Sequence, residues 1–199
     1  MTIWFATGNT GKRTELAAIL PRHTIKIPAD EGIPFDPEET GATFAENALI
    51  KARELQRLVS KPHSPVPVIA DDSGICVDAL GGRPGIHSSR YGSEGGLKLE
   101  SADRNTLLLK ELGDNPLRSA RFVCAMALLW SDDRFFLVQE TLEGEIIREE
   151  RGTGGFGFDP ILYLPQFDRT VAELPEEEKN RISHRGKAGM AIARFLGGQ

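Results

Sequence analysis

The sequence contains no apolar run close to the roughly 20 residues of a membrane-spanning helix; AMALLW and FFLV are the longest candidates. It also lacks an N-terminal basic segment followed by an apolar stretch, so we expect no secretory signal peptide. Only two of the 199 residues are cysteines, Cys76 and Cys124. Both lie in apolar, strand-like runs, which favours buried, reduced thiols and a cytoplasmic protein over a disulfide scaffold.

Positive charge is scarce as well. The 24 Lys and Arg residues are outnumbered by 29 Asp and Glu residues, which gives a net charge of −5. Sequence-independent binding of nucleic acid needs a broad basic surface, so this function is disfavoured. A small anionic ligand is compatible with the balance, because it responds to a local cluster of charge. No linker or repeat divides the chain, and we expect a single domain over residues 1–199.

Strand-like and helix-like segments alternate, which predicts an α/β fold with a long mixed β-sheet flanked by helices. Apolar, strand-like segments lie at residues 2–6, 23–27, 68–70 and 75–80. An antiparallel meander of three strands is predicted over 119–149. Helical periodicity is found at residues 11–20, from Thr43 to Val59, at 103–112 and from His184 onward. Polar connections without a core of their own are predicted at 28–42, 61–67 and 93–101.

A compact run, 7-TGNTGK-12, joins the first predicted strand to the first predicted helix. It matches only the end of the phosphate-binding pattern G-x-x-x-x-G-K-[ST]. Ala6 stands at the first glycine position, and Arg13 stands where a Mg²⁺-binding hydroxyl is needed. Free amides at a helix start, with Lys12 in the first turn, still favour an anion. The alternative interpretation is an ordinary turn before a helix.

Two adjacent carboxylates, Asp71 and Asp72, follow the strand predicted at 68–70. Neighbouring carboxylates are unfavourable unless a cation or a shared proton compensates their charge, and Mg²⁺ binds such groups together with water and phosphate oxygens. In an extended or a turn conformation their side chains diverge, so one could bind a metal while the other orients water or pairs with a lysine. Glu38 and Glu39 are further possible ligands. An Asp-rich turn and two solvated glutamates are the alternative interpretations.

The clearest predicted helix begins with a capping box formed by Thr43 and Glu46. Asn47 and Lys51 lie one turn apart on this helix, so both can contact one ligand. Two further segments suit a nucleotide: the glycine-rich run 152–160, whose phenylalanines could stack on a base, and a basic run from Lys179 to Lys187. Together these features predict a site for a Mg²⁺-bound nucleoside polyphosphate.

Five motifs carry a family likeness: TGNTGKRTEL, EETGATFAENALIKA, ADDSGICVDALGGRPGIHSSRYG, GTGGFGFDPI and EKNRISHRGKA. In order and approximate spacing, from residue 7 to about residue 190, they resemble the Ham1-like inosine/xanthosine triphosphate pyrophosphatases. The resemblance implies hydrolysis of non-standard purine nucleoside triphosphates (ITP, dITP, XTP) to monophosphate and pyrophosphate, which removes deaminated purines from the nucleotide pool. It also implies Mg²⁺ as cofactor, a homodimer, and two lobes around a central nucleotide-binding cleft.

The same resemblance implies roles for individual residues. Glu38 and Asp72 would hold Mg²⁺, and Asp72 would accept the proton of the attacking water, with Asp71 as the alternative acceptor. Lys12 would offset charge that develops on the phosphates, and His184 and Arg185 would donate to the 6-keto oxygen of the base. The residues that would contact the substrate are Thr7, Gly8, Asn9, Thr10, Gly11, Lys12, Asn47, Lys51, Ser73, Phe156, Gly157, Phe158, Asp159, Lys179, His184 and Arg185.

The sequence departs from the usual family pattern at two sites. Phe158 stands where relatives usually have Tyr or Trp, which keeps the ring and loses any hydrogen bond from it. His87, Ser88 and Ser89 replace a more usual Tyr-Ser-Ala, and an altered cleft floor or dimer contact is expected there.

Three alternative functions fit part of the pattern. A Maf-like nucleotide pyrophosphatase has a similar fold and would act on other modified nucleotides. A nucleotide-binding regulator would hold the Mg²⁺-bound triphosphate without hydrolysing it. A phosphoryl-transfer kinase is disfavoured, because the hydroxyl residue that follows the lysine of the phosphate-binding pattern is missing.

Overall fold

The protein is described by a computed structural model that covers residues 1–61, 64–93, 99–131 and 133–197. Its α-helices are α1 (Thr10–Ile19), α2 (Phe44–Val59), α3 (Ser101–Leu112), α4 (Glu176–Ile182) and α5 (His184–Gly197). Its strands are β1 (Thr2–Phe5), β2 (Thr24–Lys26), β3 (Val68–Val77), β4 (Ser119–Ser131), β5 (Arg134–Ile146), β6 (Leu162–Leu164) and β7 (Arg169–Thr170). Parts of the predicted connections 61–67 and 93–101, and one residue of the region predicted as a meander, lie outside the described residues.

The strands form one sheet in the order β2-β1-β3-β4-β5-β6-β7. β1 pairs in parallel with both β2 and β3, whereas β6 pairs antiparallel with both β5 and β7. This sheet and its helices confirm the predicted α/β fold with a mixed sheet. In the described part of the chain, no helix is both long and apolar enough to cross a membrane.

The 71-DDSG-74 segment lies inside a strand, so the prediction that the strand ends at residue 70 is wrong. β3 continues from Val68 to Val77 without interruption. Aspartate and glycine are poor strand formers, but here buried basic partners of the carboxylates compensate for the local preference. The strand ends where Asp78–Leu80 form a 3₁₀ turn, which is earlier than the sequence predicted.

The region 119–149 contains two long strands where the sequence predicts three. β5 runs through Gly144, the position predicted as a break between strands. A Cβ added at Gly144 would lie 2.5 Å from the carbonyl oxygen of Tyr163, on the neighbouring strand β6. The glycine therefore permits a close approach of two strands rather than a turn.

The chain divides into two compact units. Unit 1 comprises residues 1–72, 124–140 and 184–199, and unit 2 comprises residues 73–123 and 141–183. Each unit has its own buried apolar cluster. In unit 1, Ile3, Phe5, Leu16, Ile69, Met126 and Ile192 pack together, and in unit 2, Ile75, Leu108, Phe122, Phe158, Leu162 and Val171 do so. The single functional domain and the cleft between two lobes stay predictions.

Helix α2 begins with the predicted capping box. Thr43 Oγ1 accepts from the backbone N of Glu46 at 3.1 Å, and Glu46 Oε2 accepts from the backbone N of Thr43 at 3.2 Å. A cap of this kind stabilises a helix by about 1 kcal/mol. Asn47 and Lys51 are buried together with the apolar stripe of the helix, so α2 holds two polar side chains inside unit 1.

Candidate active site

The loop that precedes α1 is built by its own side chains. Asn9 caps the helix, because its Oδ1 accepts from the backbone N of Lys12 at 3.1 Å. Thr7 Oγ1 accepts from the backbone N of Asn9 at 3.0 Å. Thr10 and Gly11 carry first-turn amides that have no partner within a helix. The strand–loop–helix arrangement is as predicted, and anion binding by it stays a prediction.

Asp71 lies at the centre of a buried ion-pair network in unit 1. Its Oδ2 accepts from Lys12 Nζ at 2.8 Å and from Arg185 Nε at 3.2 Å. Arg185 extends the network, since one of its terminal nitrogens lies 2.9 Å from Glu15 Oε2. Asp71 is only 1% exposed and Arg185 only 2%. Four charged residues from α1, β3 and α5 therefore compensate one another, with Asp71 and Arg185 buried and Lys12 and Glu15 partly exposed.

The network fixes the charge of Asp71. Burial alone would raise the pKa of Asp71, but the positive charges of Lys12 and Arg185 outweigh burial and hold this pKa well below its usual range. Burial lowers the pKa of Lys12, and the charges of Arg185 and Lys51 lower it further against the attraction of Asp71. At neutral pH Asp71 is thus a carboxylate bound to two cations, which is a poor state from which to accept a proton.

Asp72 points to a second set of partners in the same unit. Its Oδ1 accepts from Lys51 Nζ at 3.0 Å, and its Oδ2 accepts from Asn47 Nδ2 at 3.2 Å. Lys51 Nζ also donates to Glu39 Oε1 at 2.8 Å. Successive residues of a strand face opposite sides, and Asp71 and Asp72 accordingly pair with different lysines. This divergence was predicted, and the continuous strand β3 excludes the Asp-rich turn.

Negative charge exceeds positive charge around Asp72. Burial raises the pKa of Asp72 and the carboxylate of Glu39 raises it further, while Lys51 and Asn47 offset these effects only in part. Burial lowers the pKa of Lys51, but the carboxylates of Asp72, Asp71 and Glu39 outweigh burial and raise it. An excess of carboxylate is the condition that a divalent cation relieves.

The donor set at Asp72 fits Mg²⁺. Asp72 and Glu39 both contact the same ammonium group of Lys51, so the two carboxylates lie close to one another and share one cation. Mg²⁺ usually takes one or two carboxylates and completes its shell with water and substrate phosphate. Within residues 1–61, 64–93, 99–131 and 133–197, no group of three or more His, Cys, Asp or Glu side chains could hold a metal ion. A metal at Asp72 would therefore need water and phosphate oxygens as further ligands.

Glu38 and Glu39 occupy different environments. Glu38 is exposed, whereas Glu39 is partly buried and bound to Lys51. The structure thus brings Glu39 into the Asp72 cluster, and the metal role that the family likeness gives to Glu38 stays a prediction. The sequence contained both residues as candidates but no signal that separates them.

The glycine-rich loop 152–160 is organised by Asp159 in unit 2. Asp159 Oδ2 accepts from the backbone N of Phe156 and from Lys179 Nζ, both at 2.8 Å. The ammonium group of Lys179 also lies 4.7 Å from the ring centre of Phe156, a favourable cation–π distance. Gly155 has φ of +73°, and a Cβ there would lie 2.0 Å from Asp159 Oδ2. Glycine is required at this turn.

The two phenylalanines of this loop have different surroundings. Phe156 is 41% exposed, whereas Phe158 is 5% exposed and belongs to the core of unit 2. The ring of Phe158 lies 6.5 Å from that of Tyr91, with the two ring planes tilted. Phe156 is therefore the ring that a base could stack on. Phe158 instead packs into the core of unit 2 and attaches the loop to it. The apolar neighbours of Phe158 account for a ring without a polar group at this position.

The predicted basic cluster of residues 179–187 divides between different partners. Lys179 binds Asp159, and Arg185 binds Asp71 and Glu15. His184 is the first residue of α5 and is 7% exposed. Ser73, next to Asp72, is half-buried, and Gly8 is exposed.

The structure gives contacts to three polar residues for which the sequence predicted no such partner. Glu15 binds Arg185, Asn105 binds the carbonyl oxygen of Gly157, and Ser88 Oγ accepts from the backbone N of Ile75 at 2.9 Å. A Cβ at Gly74 would lie 2.4 Å from Ser88 Oγ, so Ser88 packs against the end of the DDSG segment. His87 is exposed. Glu15 and Ser88 lie within motifs, whereas no sequence signal indicated Asn105.

Known proteins with similar sequences cover the whole chain. A dITP/XTP pyrophosphatase of Treponema denticola is 52% identical over 100% of both chains. The dITP/XTP pyrophosphatase of Geobacillus kaustophilus is 46% identical over 94% of this chain and 89% of its own length. The enzyme of that name from Escherichia coli is 43% identical over 92% and 91%.

Solved structures agree with the sequence comparison. A HAM1 protein from Coxiella burnetii superimposes with a TM-score of 0.89 at 38% identity, over 100% of both chains. The Staphylococcus aureus Ham1 protein gives a TM-score of 0.86 at 38% identity, over 100% of this chain and 99% of its own. The sequence profile of the Ham1 family matches residues 3–195. The chain therefore belongs to the Ham1 family.

Proposed function

We propose that this protein hydrolyses non-standard purine nucleoside triphosphates, dITP, ITP and XTP, to the nucleoside monophosphate and pyrophosphate. The observation that carries the proposal is the pair of adjacent aspartates on β3, each bound to its own lysine. The names of the relatives, dITP/XTP pyrophosphatases, supply the substrate class. Hydrolysis of these substrates would remove deaminated purines from the nucleotide pool.

Asp72 and Glu38 would hold Mg²⁺, with Glu39 as the second candidate for the glutamate ligand. When bound, Mg²⁺ offsets phosphate charge and lowers the pKa of a bound water. Glu39 has the stronger claim on geometry, because it shares Lys51 with Asp72. The single variants Glu38→Gln and Glu39→Gln would show which glutamate binds the metal. The variant that lacks the ligand should need a higher Mg²⁺ concentration for half-maximal activity.

Asp72 would accept the proton of the water that attacks the α-phosphorus. An efficient acceptor needs a pKa close to the working pH. Lys12 and Arg185 both bind Asp71 and hold its pKa low, whereas Asp72 binds a single cation, Lys51. Asp71 would instead orient Lys12, so the two carboxylates that the sequence left interchangeable take different roles.

The polyphosphate would be bound by lysines and by the start of α1. Lys12 and Lys51 would offset charge that develops on the departing pyrophosphate, with Lys179 as a third cation. Thr10 and Gly11 would contribute first-turn amides, and the other contacts would come from Thr7, Gly8, Asn9, Asn47 and Ser73. Such a reaction depends on positioning and charge more than on covalent chemistry.

The base would stack on Phe156 and accept hydrogen bonds from the donors of α5. Phe156 is the exposed ring of the loop, and Gly157, Phe158, Asp159 and Lys179 would hold it in place. His184 would donate to the 6-keto oxygen. Adenine presents an amino group at that position, and a site built on polar contacts can reject such an analogue about 10⁴-fold. Arg185 is already bound to two carboxylates. We therefore assign the contact with the base to His184 in preference to Arg185.

The central test is the reaction of the purified protein with dITP and Mg²⁺, followed by ³¹P NMR of the products. Pyrophosphate and dIMP are expected, and turnover should stop when EDTA removes the metal. Orthophosphate as the first product would show that a different bond is cleaved and would refute the proposal. Retention of intact dITP would indicate a binding protein instead.

A substrate panel separates the proposal from the Maf-like alternative. ITP, dITP and XTP are expected to be turned over far better than ATP, dUTP or modified UTP. The preference for ITP over ATP should fall in His184→Ala, with His23→Ala as the matched control. An unchanged preference in His184→Ala would contradict the donor role of His184. A preference for pyrimidine nucleotides would favour the Maf-like function.

A cytoplasmic homodimer completes the proposal. The chain has a mass of 21.8 kDa, so light scattering should give twice this mass. A monomer at the concentrations at which the enzyme is active would contradict the dimer.

A further inference from the structure

Asn105 joins helix α3 to the glycine loop in unit 2. Its side chain is 2% exposed, and its Nδ2 donates to Glu150 Oε1 at 2.7 Å and to the carbonyl oxygen of Gly157 at 3.2 Å. Both partners are acceptors, so the orientation of the amide is determined. Asn105 is thus a buried side chain that binds the backbone of the residue next to Phe156.

The ring of Phe156 lies between two backbone attachments. On one side, the carboxylate of Asp159 binds the backbone N of Phe156 at 2.8 Å. On the other side, Asn105 binds the carbonyl oxygen of Gly157. Gly157 has φ of +66°, and among the described residues nothing lies within 4 Å of a Cβ added there. The hydrogen bond from Asn105 is therefore one of the contacts that hold this peptide in place. Without Asn105, the Gly157 carbonyl would lose this donor, and the peptide between the exposed Phe156 and the buried Phe158 would be held less tightly, so the orientation of the Phe156 ring would be less well defined.

Only the nitrogen of the Asn105 side-chain amide makes hydrogen bonds. In the part of the chain that the structure describes, Asn105 Oδ1 is buried and has no hydrogen-bond partner. A buried acceptor without a partner lowers stability, so this asparagine is not the best residue for stability alone. What the position requires is an N–H donor aimed at Glu150 and at the Gly157 carbonyl.

We propose that Asn105 is a positioning residue for the purine base, which acts through the Gly157 carbonyl to hold the ring of Phe156 in the stacking orientation. The inference rests on the proposed function, in which Phe156 receives the base. Asn105 itself makes no contact with the substrate. Its loss should therefore weaken recognition of the base and leave recognition of the phosphates intact.

Two variants separate the Gly157 contact from the Glu150 contact. Asn105→Asp keeps the shape of the side chain, removes both N–H donors and places a carboxylate against Glu150. The double variant Asn105→Asp with Glu150→Gln restores the contact between positions 105 and 150 with the donor reversed, and leaves the Gly157 carbonyl without a donor. Asn115→Asp is the matched control, because Asn115 is exposed. Its Oδ1 accepts a hydrogen bond from the backbone N of Leu117, and a carboxylate oxygen at this position can accept the same bond.

The expected result is a rise of about tenfold in KM for dITP in both Asn105 variants, the size of one lost hydrogen bond, with kcat within about threefold. The inhibition constant of dIMP should rise in parallel, whereas that of pyrophosphate should stay unchanged. Asn115→Asp should behave as the unmodified enzyme. Equal changes in the inhibition constants of dIMP and pyrophosphate would indicate general damage and overturn the proposal.

A double-mutant cycle with Phe156→Ala tests the path through the ring. If Asn105 acts through Phe156, substitution of Asn105 should have little further effect once the ring is absent. Additive effects would overturn the proposal. It would also be overturned if circular dichroism showed that neither Asn105 variant folds.

The test distinguishes this proposal from the proposed function. If the unmodified protein does not hydrolyse dITP at all, the proposed function fails. If the unmodified protein is active and the Asn105 variants behave like it, only the role of Asn105 is refuted.

Discussion

Asp72→Asn is expected to lower kcat/KM for dITP by about 10³-fold or more, the largest effect on activity that we predict for a single substitution. The amide keeps the size of the side chain and its place beside Lys51 and Asn47. It loses the negative charge that would hold Mg²⁺ and the lone pair that would accept a proton. Steady-state rates at saturating Mg²⁺, with pyrophosphate release as the readout, measure the loss.

Asp103→Asn is the control for this prediction, because it makes the same chemical change at an exposed carboxylate in α3. Its kcat/KM should equal that of the parent. Asp72→Asn should remain folded, since Lys51 keeps its contact with Glu39. Activity of Asp72→Asn within a few-fold of the parent would exclude Asp72 both as metal ligand and as proton acceptor.

Arg185→Met is expected to reduce the free energy of unfolding by about 3–5 kcal/mol, the cost of breaking a buried ion pair from one side. Arg185 is 2% exposed and compensates the carboxylates of Asp71 and Glu15. Methionine fills much of the same volume but leaves Glu15 without this cation and Asp71 with Lys12 as its remaining ion-pair partner. Urea unfolding followed by circular dichroism measures the change.

Arg181→Met provides a control four residues away in the sequence. The side chain of Arg181 is 71% exposed and lies 4.0 Å from Glu178, so its loss should change stability by less than about 0.5 kcal/mol. A stable Arg185→Met protein with altered preference for the base would show that Arg185 contacts the base rather than holding the network together. A change below about 1 kcal/mol, with unchanged preference, would contradict both roles.

The sequence predicted those features that depend on neighbours along the chain. The capping box of Thr43 and Glu46 could be predicted because both partners lie within one helical turn. The strand–loop–helix arrangement around residues 7–12 was predicted for the same reason, although the cap that Asn9 gives the helix was not. The divergence of Asp71 and Asp72 followed from the alternation of side chains in extended backbone.

Predictions failed or stayed open where the partner is distant in sequence. Nothing local indicates that β3 continues through Asp71, because the cations that make a buried aspartate acceptable come from α1 and α5. Glu38 and Glu39 are neighbours of the same type, and only the position of Lys51 distinguishes them. The two phenylalanines of the glycine loop are equally apolar, and only the core of unit 2 decides that Phe158 is buried.

The sequence by itself determined the family likeness, the mixed α/β fold and the set of side chains available for chemistry, because motifs and periodicity are properties of short segments. The tertiary structure decided how that set is divided: Asp71 with Lys12 and Arg185, Asp72 with Lys51 and Glu39, and Asn105 with the loop beside Phe156. The physical reason is that charge, burial and hydrogen bonding act through space. Two adjacent aspartates of the same kind thereby acquire opposite pKa shifts, and from them different proposed roles.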